Sequence, residues 1–94
     1  MVSRFEAELG GHLQAERERS GLSQDALAQQ FGVDQSLISR VERGQRRVSV
    51  EEFLLWADLV GADPVALFGT VAQRWEQTRR RTGSIWLSEA EPDG

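Results

Sequence analysis

The fold is decided by residues 22–44, LSQDALAQQFGVDQSLISRVERG. Leu27, Ala28 and Phe31 recur at helical spacing after Ser23, a residue type that caps helix N-termini. Ile38 and Val41 recur in the same way after Asp34, a second capping type. Between them lies Phe31-Gly32-Val33, where Gly32 can supply the positive φ that so short a turn needs. The stretch therefore reads as two short helices, 24–31 and 35–43, meeting at an angle. Ala28 is small where the second helix must approach the first, and Ile38 and Val41 fill the space between them. Gln35, Ser36, Ser39 and Arg40 are left in a row on the outward face of the second helix.

Outward from this unit the pattern stays helical. Phe5, Leu9 and Leu13 form an i, i+4, i+8 stripe on a helix over 4–20. The sequence Ser49-Val-Glu-Glu52 is a capping box and opens a helix that carries Phe53, Leu54, Trp56, Leu59 and Val60. Asp63-Pro64 opens a fifth, because proline is best tolerated at the first helical position. In that helix Val65, Leu67 and Phe68 are expected to close the core. Gly21, Gly32, Gly44, Gly61, Gly69 and Gly83 each follow a periodic segment, where a left-handed C-cap is expected. A separate sixth helix is expected over 70–81, with Val71, Ala72 and Trp75 on one side. No strand alternation appears before residue 83 and there is no internal repeat. The expectation is an all-α domain of short helices packed at steep angles.

The chain has 94 residues, enough for one domain and a short extension, and a net charge of −4. It contains no cysteine, which excludes a disulfide scaffold and thiolate zinc sites. The charged first residues show no signal-peptide stretch, and no apolar run approaches the roughly 18 residues of a membrane span, so a soluble cytoplasmic protein is expected. His12 is the single histidine. No nucleophile elbow, glycine-rich phosphate loop or metal-ligand spacing is present, so neither an enzyme, a cofactor nor a metal is expected. A negative net charge argues against a nucleic-acid partner until its distribution is considered. Arg40, Arg43, Arg46 and Arg47 fall together, as do Arg74, Arg79, Arg80 and Arg81, whereas the acids gather at 51–63 and in the tail. A local positive face can coexist with an acidic remainder.

With these residues in place the chain resembles the helix-turn-helix family of phage repressors, Cro proteins and Xre-type regulators. The matching pieces are Leu22-Ser23-Gln24, Leu27-Ala28, Phe31-Gly32-Val33, Ile38-Ser39, Val41-Glu42, Gly44, Leu59-Val60-Gly61 and Leu67-Phe68. The resemblance covers roughly 5–69. It implies a five-helix, lambda-repressor-like DNA-binding domain over 1–69, followed by an extension over 70–94. It implies a regulator, repressor rather than activator, that binds a palindromic operator in double-stranded DNA as a homodimer. By position, Gln35, Ser36, Ser39 and Arg40 would read base edges in the major groove. Gln24, Arg43, Gln45, Arg46 and Arg47 would hold phosphates, and Arg17 with Glu42 would form an ion pair between the first and third helices.

Two residues depart from the family pattern. Asp34 brings a carboxylate near where phosphates would lie, and Leu37 is bulkier and more apolar than usual, suiting either a thymine methyl or simple packing. Beyond the resemblance, Trp75, Ile85, Trp86 and Leu87 are the candidate dimer contact, with 85–87 pairing as a short strand across the two-fold. The competing reading packs them on the monomer's own helices. Two functional alternatives remain: an antitoxin that represses its own operator while its extension binds a toxin, and a protein-interaction module that uses the fold without DNA.

Overall fold

A computed structural model of the chain describes residues 4–82. Five helices are present and, among the described residues, no strand: α1 Arg4–Ser20, α2 Gln24–Phe31, α3 Gln35–Glu42, α4 Val50–Val60 and α5 Pro64–Thr82. The short strand expected at 85–87 lies outside the described residues.

The helix starts obey local chemistry. Ser23 accepts a hydrogen bond from the Ala26 amide, and Asp34 accepts one from the Ser36 amide. At α4 the capping box is complete: Ser49 Oγ accepts from the Glu52 amide at 3.1 Å and Glu52 Oε1 accepts from the Ser49 amide at 2.9 Å. Asp63 Oδ1 accepts from the Val65 amide at 3.0 Å, just ahead of Pro64. Gly32 ends α2 with φ 78°, its amide donating to the Ala28 carbonyl at 2.8 Å.

Gly69 does not end a helix. The two helices expected on either side of it are one, α5, 19 residues long. An exposed glycine inside a helix costs about 1 kcal/mol relative to alanine, which packing further along outweighs. Val71 is buried, the Trp75 ring meets Phe5 edge-on at 5.4 Å, and Thr78 Oγ1 donates to Glu8 Oε2 at 2.9 Å. The second half of α5 is thereby fastened to α1. The same rotation overturns a second expectation. Leu67 and Val71, four residues apart, face inward, so Val65 and Phe68 cannot close the core and are 80% and 56% exposed. Leu54 is also exposed.

The core draws on all five helices: Leu9 and Leu13, Leu27 and Ala28, Ile38 and Val41, Phe53, Trp56, Ala57 and Val60, then Leu67 and Val71. Trp56 lies at its centre, with its indole N–H donating to the Leu13 carbonyl at 3.1 Å, so its polar atom is satisfied. Against this core α2 and α3 pack as a pair, and α3 also packs on α1. Gly10 sets that approach. A methyl group there would come within 2.8 Å of the Glu42 carbonyl oxygen, so α1 could not lie this close to α3 with any larger residue. Gly44, with φ 74°, faces Ala7 across the same junction. No single helix is long and apolar enough to cross a membrane among the described residues.

Candidate nucleic-acid interface

The site is built on α3. Ile38 and Val41 anchor its inner face at 1% and 3% exposure, while Gln35, Ser36 and Arg40 are exposed and Ser39 is half-buried. The amphipathic pattern of residues 35–42 therefore fixes which way the polar row points. Nothing in the chain's own described residues covers Gln35 or Arg40.

Beneath the row runs a connected chain of polar groups that spacing alone does not reveal. Arg17 and Glu42 are both buried and paired: Arg17 Nε donates to Glu42 Oε2 at 2.5 Å and Nη2 to Oε1 at 3.1 Å. Arg17 Nη1 donates to the Leu22 carbonyl at 2.8 Å. The hydrogen bond to Glu42 raises the Arg17 pKa above its ordinary value, against the lowering effect of burial, so the guanidinium stays charged. Gln24 Nε2 donates to Glu42 Oε1 at 2.8 Å, and Gln35 Nε2 donates to Gln24 Oε1 at 2.5 Å. The amide orientations follow from chemistry, because an ionised carboxylate can only accept. Gln24 must turn its NH2 toward Glu42, which turns its oxygen toward Gln35. Gln35 in turn keeps its oxygen and one N–H for a ligand.

The other expected residues divide by what already occupies them. Ser36 Oγ donates to Asp34 Oδ2 at 2.6 Å, and that hydrogen bond, with one from the Ser36 amide, holds the Asp34 carboxyl below its usual range. Arg46 grips Glu52 with two bonds, Nη1–Oε1 at 3.0 Å and Nη2–Oε2 at 3.1 Å, and also donates to the Arg47 carbonyl at 2.9 Å. The pairing raises the Arg46 pKa and lowers that of Glu52. Glu52, known from sequence only as a capping residue, thus also holds the α3–α4 loop against α4. Arg43 Nη2 lies 3.4 Å from Gln45 Oε1, a weak contact on an exposed loop. Arg40 and Arg47 are exposed, and the Arg40 charge helps to hold the Asp34 carboxyl low. Gln24, Gln35, Arg40, Arg43, Gln45, Arg46 and Arg47 therefore come from one continuous stretch of α2, α3 and the following loop. Trp75 does not join them: it meets Phe5 edge-on on the α1–α5 side. Ile85, Trp86 and Leu87 lie outside the described residues.

Comparison with known proteins places this geometry. The helix-turn-helix domain family matches residues 8–67. Among curated proteins no sequence gives a significant match. Among solved structures, the restriction-modification controller protein C.AhdI from Aeromonas hydrophila is 39% identical, with a TM-score of 0.59 over 65% of this chain and 92% of its own. The clp gene regulator ClgR from C. glutamicum is 25% identical, with a TM-score of 0.69 over 77% of this chain and 94% of its own. The controller protein C.Esp1396I, solved as a tetramer with its natural 35 base-pair operator, is 21% identical and shares the fold, with a TM-score of 0.66 over 76% of this chain and 93% of its own. The family match spans more than half of the chain and takes in all of α2, α3 and α4, and the chain belongs to that family: the helix-turn-helix family of Xre- and Cro-type DNA-binding transcription regulators.

Proposed function

We propose that the chain is a sequence-specific regulator that binds a palindromic operator as a homodimer, inserting α3 into the major groove. The observation that carries this is the exposure of Gln35, Ser36 and Arg40 on one face of α3 while Ile38 and Val41 hold the opposite face in the core. A major groove about 12 Å wide admits such a helix, and side-chain amides, hydroxyls and guanidinium groups match the pattern of base edges. Gln35 carries the sharpest assignment. Its free oxygen and N–H form the acceptor–donor pair that suits adenine N6 and N7. Gln24, pinned by Glu42 at the start of α2, lies where a backbone phosphate meets helix N–H groups. Arg43, Gln45 and Arg47 hold the flanking backbone, and Arg46 joins them by exchanging Glu52 for a phosphate or by steadying the loop from its pair. Ser39 and Arg40 reach further bases. A protein seated in this way over a promoter excludes polymerase, which favours repression, in the cytoplasm where the DNA lies.

Selection from random oligonucleotides with the purified chain tests the reading, because it returns the site, its symmetry and the half-site spacing together. Two half-sites with centres one helical turn apart, roughly 34 Å, are expected for a dimer. With the selected site in hand, Arg40→Ala should cost roughly 1–3 kcal/mol and relax the preference at one position, whereas Arg47→Ala should weaken all sequences alike. Enrichment of no sequence would overturn the proposal, and identical behaviour of the two variants would overturn the division of roles.

A further inference from the structure

Asp34 and Ser36 are both exposed at the start of α3, and their side chains are tied to each other. Ser36 Oγ lies 2.6 Å from Asp34 Oδ2, and the same oxygen accepts from the Ser36 amide at 3.3 Å. Chemistry places the hydroxyl hydrogen. An ionised carboxylate has no proton to give, so the hydrogen between the two oxygens belongs to Ser36 and points at Asp34. Ser36 Oγ therefore has only lone pairs left for a ligand. A serine hydroxyl ordinarily donates or accepts as its neighbour requires, so it tells bases apart poorly. Here that freedom is gone, and the carboxylate oxygens beside it can only accept as well.

We propose that Asp34 sets the base preference of Ser36, so that the pair selects an exocyclic amine, cytosine N4 or adenine N6, and rejects guanine and thymine at one position of each half-site. The inference rests on the operator-binding reading above and names the chemistry that one of its contacts requires. In the major groove cytosine presents the N4 donor and adenine the N6 donor, whereas guanine presents O6 and N7 and thymine O4, all acceptors. An acceptor set against an acceptor leaves both unpaired in a contact that has shed its water, which is costly. Cytosine suits the pair better than adenine, because adenine carries its own acceptor N7 beside N6. The pair stands where such a contact is made, since the N-terminal residues of a helix lying in the groove meet base edges. The bond from Ser36 Oγ, the bond from its amide and the charge of Arg40 all favour the ionised carboxyl, so Asp34 stays an acceptor. Asp34 is thus a specificity-determining residue that acts through Ser36, in addition to capping α3.

The test is selection from random oligonucleotides with the full-length wild type, Ser36→Ala and Asp34→Gly, followed by titration of the four base pairs at the position that responds. Both variants should fold, as circular dichroism will show, because alanine suits a helix and glycine is tolerated at an N-cap. Ser36→Ala identifies the position, since the preference there should flatten. At that position the wild type should prefer cytosine or adenine over guanine and thymine by about 10-fold. Asp34→Gly frees the hydroxyl hydrogen, so guanine and thymine should become acceptable there while the rest of the site keeps its preferences. A role confined to capping would instead weaken all sequences alike and leave every preference in place. The proposal is overturned if the position that answers to Ser36 is guanine or thymine in the wild type. It is overturned equally if Asp34→Gly leaves the preference unchanged, or if Ser36→Ala alters no position. A wild type that enriches no sequence overturns the DNA reading and this inference with it, whereas an enriched site that neither variant changes overturns this inference alone.

Discussion

Glu42 accepts three hydrogen bonds, two from Arg17 on α1 and one from Gln24 on α2, while itself belonging to α3. One buried carboxylate thus joins the three helices that position the outward polar row of α3. Its removal leaves the buried Arg17 guanidinium with only the exposed Glu18 carboxylate, 3.8 Å away, as a counter-ion, and stranding one partner of a buried pair costs roughly 3–5 kcal/mol. Glu42→Ala should therefore lower stability by about that amount in chemical or thermal unfolding, and a loss under ~1 kcal/mol would show that the pair is solvated in practice. The loss should exceed that of Gln24→Ala, which deletes only the half-buried link between Glu42 and Gln35. At this scale the sequence was informative in two ways: the Arg17–Glu42 partnership follows from the family resemblance, and the outward aim of Gln35 and Arg40 follows from α3 periodicity. The Gln35–Gln24–Glu42 connection was not legible, because it depends on how α2 and α3 cross. Gly10 was missed for the same reason. Nothing beside it in the chain announces that the carbonyls of Val41 and Glu42 come against its Cα.

The elements follow their caps closely, and α4 shows how a cap can be shared. Glu52 accepts from the Ser49 amide that starts the helix and from both terminal nitrogens of Arg46 in the preceding loop. The Arg46 pair is the main cause of the lowered Glu52 pKa, followed by the backbone bond at Ser49. A carboxyl whose pKa is lower in the folded chain stabilises that state above its ordinary value, and the contribution disappears as pH falls through the folded value. Both side chains are more than a third exposed, so the pair contributes at most about 1 kcal/mol after screening. Glu52→Gln should accordingly be less stable than wild type at neutral pH, with the gap closing as pH is lowered below the usual glutamate range. A gap that is constant across pH in urea titrations would show that the carboxylate charge has no part in holding the loop. Caps are local, which is why the starts of α2, α3 and α4 could be read directly from Ser23, Asp34 and Ser49. The continuity of α5 could not be, since it depends on Trp75 meeting Phe5 and Thr78 meeting Glu8, residues seventy positions apart in each case. Gly69 offered a local signal to stop, and distant packing overrode it.

For the whole molecule the question is how a chain of net charge −4 attracts a polyanion. The structure answers by segregation. Arg40, Arg43 and Arg47 are exposed along α3 and its following loop, whereas Glu51, Asp58 and Asp63 line the exposed side of α4 and the turn after it. This division was visible in the linear order of the charges; the apolar face on α4 and α5 was not, because Val65 and Phe68 look like core residues until the rotation of α5 is known. Segregation makes a quantitative prediction that net charge would not. Binding should be driven by the few arginines that touch phosphates and by the counterions they release, so log K should fall linearly with log salt at about −0.9 per phosphate neutralised. If Arg43, Arg46 and Arg47 each neutralise one phosphate, a slope near −3 per subunit is expected by that relation, and Arg47→Ala should reduce it by about one. Arg46 makes the measurement discriminating, since its guanidinium begins in a pair with Glu52. An arginine that leaves Glu52 for a phosphate adds its full share to the slope, so Arg46→Ala would flatten it by about as much as Arg47→Ala does. An arginine that keeps Glu52 leaves the slope unchanged on mutation and weakens binding only by loosening the loop. A wild-type slope near zero would mean that no phosphates are engaged, and the cationic surface beside α3 would then have no part in holding DNA.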